Sequence, residues 1–155
     1  MQAPPDQPVL ILPIASETGV ALIPALAWSP ANRASSYRMQ LSADSTFSTT
    51  IINQPGITTT QFSWSVAPLS YGAMYYWRVQ ANNLGGTSAW SDTRTFTTVE
   101  ALPVQPTLTS PSNSAAGFAA SGGVLFWDAA NYAASYQLQV STDSNFQLLT
   151  SDITG

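Results

Sequence analysis

The chain repeats itself. Residues 28–47 read WSPANRASSYRMQLSADSTF and residues 127–146 read WDAANYAASYQLQVSTDSNF, so Trp28 falls on Trp127, Tyr37 on Tyr136, Asp44 on Asp143 and Phe47 on Phe146, each 99 positions on. An internal period fixes the unit of folding, and one near 99 residues is the size of a domain, not of a solenoid repeat. The 155 residues divide accordingly into one whole unit and the first half of a second, with Gly155 standing where Gly56 stands in the first copy. The expected boundaries are a flexible Pro-rich tail over 1–7, a domain over 8–99, a stiff Pro-containing linker over 100–105 and the N-terminal half of a second domain over 106–155. The second copy carries one extra residue within Ala115–Gly123.

No segment has helical rhythm. Nine glycines and eleven prolines punctuate short runs of β-branched and aromatic residues, the pattern of an all-β sandwich or barrel. Pro8–Pro13 reads as a first strand, at a sheet edge because of its prolines. Val20–Trp28 reads as the second, with Leu26 and Trp28 on one face. Tyr37–Leu41 alternates, placing Tyr37, Met39 and Leu41 inward and Arg38 and Gln40 outward. Ser42–Thr46 is a turn in which Asp44 bonds backbone two residues on, with Phe47 expected to plug the end of the core. Thr49–Asn53 is a short edge strand closed by Pro55-Gly56, and Thr59–Val66 follows with Phe62, Trp64 and Val66 on one face. Tyr75–Ala81 alternates again, with Tyr75, Trp77, Val79 and Ala81 inward. Asn82–Gly86 is a hairpin loop, and Thr93–Thr98 closes the sheet. Seven one-sided strands are buried most economically in two packed antiparallel sheets.

The motifs Leu26-x-Trp28, Tyr37-x-Met39-x-Leu41, Leu69-x5-Tyr75-x-Trp77-x-Val79-x-Ala81, Gly86-x-Ser88-x-Trp90-Ser91 and Thr95-Phe96-Thr97 together resemble a fibronectin type III domain of the bacterial extracellular kind. The resemblance spans 8–98, and 106–155 over the first half of the domain. It implies a seven-stranded immunoglobulin-like β-sandwich and a tyrosine corner made by Leu69 and Tyr75. The chain has no Arg-Gly-Asp triplet, so integrin binding is not implied, and it lacks the cysteine pair of true immunoglobulin domains.

The composition narrows function. The chain has no histidine and no cysteine, the commonest catalytic bases and nucleophiles. Its eight carboxylates form no dense cluster in sequence, and Asp44 and Asp143 are one turn position in two copies. No enzyme, cofactor or metal site is expected. A net charge of −4 with only four cations, all arginine, argues against nucleic acid, and no apolar run approaches a membrane span.

Outward aromatics remain. Tyr76 and Trp90 fall off the inward parity near Arg38, Arg78 and Arg94, and Ser88-Ala-Trp90-Ser91 is similar to half of the Trp-Ser-x-Trp-Ser box of cytokine receptors. Arg38, Tyr76, Arg78, Trp90 and Arg94 are therefore candidates for a stacked arginine–aromatic ladder or for a platform gripping sugar rings. In the second copy Val124, Phe126, Tyr136, Leu138, Val140 and Phe146 form an apolar face whose covering strands would come from further repeats or another chain by strand addition. Three functions fit: an extracellular or cell-surface spacer or adhesion module, a filament subunit completed by its neighbour, and a polysaccharide-binding accessory module of a secreted glycoside hydrolase.

Overall fold

In the computed structural model, which describes residues 2–65, 67–117, 119 and 122–155, the chain forms two units, Met1–Glu100 and Ala101–Gly155. Val66 and part of the Ala115–Gly123 stretch, both used in the sequence reading, lie outside the described residues.

The first unit is a two-layer sandwich. One layer orders β1 (Leu10–Leu12), β3 (Leu26–Trp28) and β6 (Gln61–Phe62); the other orders β2 (Glu17–Val20), β9 (Arg94–Thr98), β7 (Met74–Asn83), β4 (Ser36–Ser42) and β5 (Ile52–Ile57), with β8 (Gly86–Thr87) on the end of β7. The alternation of the sequence sets what lies between the layers. Leu10, Leu26 and Trp28 come from one side, and Tyr37, Met39, Leu41, Tyr75, Trp77, Val79, Ala81 and Phe96 from the other, all buried. Burying each large side chain contributes roughly 1.5–3 kcal/mol, so this file of residues dominates the unit's stability. The Trp28 and Tyr37 rings meet edge to face, with centroids 5.5 Å apart.

Several expectations need correction. Val20–Trp28 is not one strand: the chain leaves one sheet after Val20, passes Pro24 and enters the other at Leu26. Strand β2 pairs with β9 in parallel, so the sandwich is not wholly antiparallel. Strand β5 does not stop at Pro55-Gly56 but runs through them to Ile57, with a register slip opposite β4 and Gly56 at a φ of 74°. An edge strand tolerates the missing amide of Pro55. Among the described residues the segment after Thr59 holds only the two-residue β6; beyond it Trp64 is buried and stacks with Phe62, centroids 6.4 Å apart. The expected Asn82–Gly86 loop tightens to a Leu84-Gly85 turn, because Asn83 pairs with Gly86.

Nor does the segment before Pro8 run free. Arg33 pairs with the Asp6 carboxylate and donates to the Pro4 carbonyl (3.0 Å), and Asn83 donates to the Ala3 carbonyl (2.9 Å). The Gln2 carbonyl crosses so close over Gly85 that a Cβ there would collide with it.

In the second unit β10 (Leu108–Ser110) pairs with β11 (Phe126–Trp127) and β12 (Gln137–Ser141) with β13 (Leu149–Thr154). These are the counterparts of β1, β3, β4 and β5. Val104 donates to the Asn131 carbonyl as Asp6 does to that of Asn32, so 101–105 follows the second unit as 2–7 follows the first.

Candidate functional site

On the outer face of the larger sheet, Gln40 on β4 stands opposite Arg78 on β7, and the Gln40 Oε1 accepts from Arg78 Nε at 2.9 Å. That bond holds the Arg78 guanidinium between two rings. Its Cζ lies 4.0 Å from the Phe47 ring centre and 4.5 Å from that of Trp90. Arg38, whose Nε donates to the side-chain Oδ1 of Asn53 (2.8 Å), has its Cζ 6.0 Å from the Trp90 ring centre. The result is a ladder of Phe47, Arg78, Trp90 and Arg38. Desolvation between the rings lowers the Arg78 pKa, and the neighbouring Arg38 charge lowers it further. Arginine keeps its proton regardless, so the stack remains cationic.

The segment carrying Trp90 is fastened by its serines. Ser88 Oγ accepts from the Ala81 N–H and Ser91 Oγ from the Val79 N–H, both at 3.0 Å, while Ser88 and Ser91 return their own N–H groups to the carbonyls of Ala81 and Val79. Two serines three residues apart thus replace a strand along β7 and present the indole outward.

The structure brings together only part of the group expected from sequence. Arg38, Arg78 and Trp90 meet. Tyr76 faces outward between Ser42 and Thr95 and is not among the stacked rings. Arg94 is not in the ladder. It shares the inward parity of Phe96 and Thr98, and its guanidinium crosses to the carbonyls of Leu10, Ile11 and Pro13. Phe47, expected at the end of the core, lies on the outer face instead, swung there by a left-handed backbone (φ 57°). Its repeat Phe146 has the same left-handed backbone, at a φ of 55°.

Tyr75 Oη accepts from the Ser70 N–H at 3.0 Å beside the buried Leu69, whose own N–H donates to the Leu22 carbonyl. Asp44 accepts from the hydroxyl and N–H of Thr46 and from the N–H groups of Ser48 and Thr49. The Thr46 hydroxyl contributes most; desolvation opposes it, and the N–H groups of Ser48 and Thr49 with the Ser42 hydroxyl tip the balance, holding the carboxyl well below the usual range. Asp143 is lowered in the same way, chiefly by the N–H groups of Gln147 and Leu148. Both carboxylates are occupied in shaping turns. Among the described residues no three His, Cys, Asp or Glu side chains gather as metal ligands would, and no helix is long and apolar enough to cross a membrane.

In the second unit Tyr136 and Leu138 are half-buried, and Val124, Phe126, Val140 and Phe146 are exposed. Phe126 is not an inward residue: it stands at the position of Ala27, and Leu125 takes that of the fully buried Leu26.

Two packed β-layers with this core define an immunoglobulin-like sandwich of the fibronectin type III kind. A family model described as "Rha78A-like, N-terminal immunoglobulin domain" matches residues 22–100, and the chain belongs to that family. No curated protein matches it. Among solved structures it is similar to an Fn3-like protein from Clostridium thermocellum, 24% identical over 65% of this chain and 99% of that one, TM-score 0.44. It is also similar to a fibronectin type III domain of human fibronectin type III domain containing protein 3, 20% identical over 73% and 96%, TM-score 0.47. A Streptomyces avermitilis alpha-L-rhamnosidase complexed with L-rhamnose is 20% identical over 62% of this chain but only 10% of its own length, TM-score 0.42.

Proposed function

We propose that the chain is a non-catalytic extracellular accessory module, a structural spacer that holds its neighbours apart in a larger bacterial protein. The observation that carries this reading is the occupied ladder: the arginine side chain that would otherwise leave Trp90 open to a sugar lies against it, fixed by Gln40. A guanidinium on an indole covers apolar surface that a ligand-binding platform would present. The family supports an accessory role, because its members are N-terminal domains. Affinity electrophoresis against a polysaccharide panel that includes rhamnose-bearing polymers tests the proposal. A spacer migrates unretarded with and without Trp90→Ala, while retardation abolished by Trp90→Ala would establish the carbohydrate-binding reading in its place.

One observation favours a second reading, a filament subunit. Among the described residues of 101–155, β12 is paired on one side only, whereas its counterpart β4 lies between β5 and β7. A neighbouring polypeptide adding a β7-like strand there would complete the second sandwich. Light scattering decides: concentration-dependent growth supports strand addition, and a monomer whose residues after Ala101 are cut readily by protease rejects it.

A further inference from the structure

Strand β1 is the edge of its sheet, paired with β3 alone. Its surroundings are adhesive, with Val9 63% and Ile11 48% exposed and Ile14 open just beyond. An apolar edge with free carbonyls is a template for pairing with another chain. Here the carbonyls are taken. Arg94, reaching over from β9 in the opposite layer, donates from Nη2 to the Leu10 oxygen at 2.7 Å and from Nη1 to those of Ile11 and Pro13 at 2.8 and 3.1 Å. The register against β3 slips between Leu10 and Leu12, a bulge that bends the strand and lets three carbonyls converge on one guanidinium. Arg94 forms no ion pair among the described residues, where Arg33–Asp6 is the salt bridge present. Its donors go to backbone, and the planar fork can serve three acceptors in a way a lysine cannot.

We propose that Arg94 is an edge guard, keeping β1 from pairing with β1 of a second copy of this chain. The partner is a second copy because a two-fold antiparallel pair makes one edge complementary to itself and sets Ile11 near its own counterpart.

The chain lacks cysteine, so Ile11→Cys supplies a single reporting thiol. Under oxidising conditions, non-reducing electrophoresis of the full chain should show several-fold more disulfide dimer for Ile11→Cys with Arg94→Ala than for Ile11→Cys alone. Ser45→Cys, an exposed thiol in the β4–β5 turn, should show no such gain with Arg94→Ala. Equal dimer yield with and without Arg94 overturns the proposal, and so does an equal gain at position 45, which reports general loss of structure. Should Arg94→Ala lose its β-sheet circular dichroism, Arg94→Gln, which keeps an amide donor, is read by the same two criteria.

Discussion

The two units share a sequence pattern and differ in burial. Their turns are nearly superimposable in chemistry: Ser42 Oγ donates to the Thr49 carbonyl at 2.7 Å and Ser141 Oγ to that of Leu148 at 2.8 Å, each beside an aspartate that gathers the following N–H groups. Tyr37 and Tyr136 accept alike from the N–H groups of Ala31 and Ala130. Yet Leu10 is 5% exposed and its counterpart Leu108 74%, while Leu41 is fully buried and Val140 38% exposed. Turn geometry is written locally, in a few residues bonding to their own backbone. Burial is not, because it depends on β7 and β9, whose counterparts are not among residues 101–155.

Removing core from each unit gives the widest separation. Trp77→Ala should destabilise the first unit by about 3–5 kcal/mol, whereas Trp127→Ala, at a ring that is only half-buried, should cost clearly less; urea unfolding followed by circular dichroism reads both. A comparable loss at the two sites would mean that the second unit has a closed core of its own. The shared tyrosine bond makes a finer contrast. Tyr37→Phe strands a half-buried Ala31 N–H and should cost about 1–2 kcal/mol in the same assay, with Tyr136→Phe costing less because water reaches Ala130.

The ladder exists in the first unit alone: Gln139 repeats Gln40, but Gln137 stands where Arg38 does, and residues 101–155 include no counterpart of Arg78 or Trp90. Arg78→Gln should lower stability by roughly 0.5–1 kcal/mol for each ring it leaves, and Phe47→Ala by less than the pair, with Phe146→Ala near zero in thermal melts. The last difference appears in acid. The folded-state pKa of Asp44 is depressed, so its contribution is present above the unfolded value of about 3.9 and is lost as pH falls through the lower folded value. Asp44→Asn should therefore lower the melting temperature at pH 6, and by progressively less as pH falls below about 4. Asp143→Asn should leave the first unit's transition unchanged at both.

The layered core was legible because alternation is a property of strands, and Tyr37–Leu41 and Tyr75–Ala81 keep it without interruption. Where the backbone leaves that regime the reading failed. Phe47 follows a turn and sits at positive φ, so strand parity no longer predicts its side. Val20–Trp28 contains Pro24, at which the chain changes sheets, and the parallel pairing of β2 with β9 joins residues too far apart for any local pattern to announce. Arg94 is different: its parity with Phe96 was visible, but charge suggested the surface. The structure resolves that conflict by placing it at the open end of the sandwich, where an inward side chain can still reach the backbone of the opposite layer. The serine clasp on β7 was hidden for a related reason, as side-chain oxygens there do the work of a strand.

The placement of the tryptophans has an optical consequence. Four of the five lie in the first unit and one, Trp127, in the second. The indole N–H groups of Trp28 and Trp77 are buried without a hydrogen-bond partner, and Trp127 is open on part of its ring. Their emission should be blue and that of Trp127 red; Trp90, turned outward in the first unit, shares the red component, so in a Trp90→Phe variant a spectrum resolved by quencher reports separately on each half of the chain.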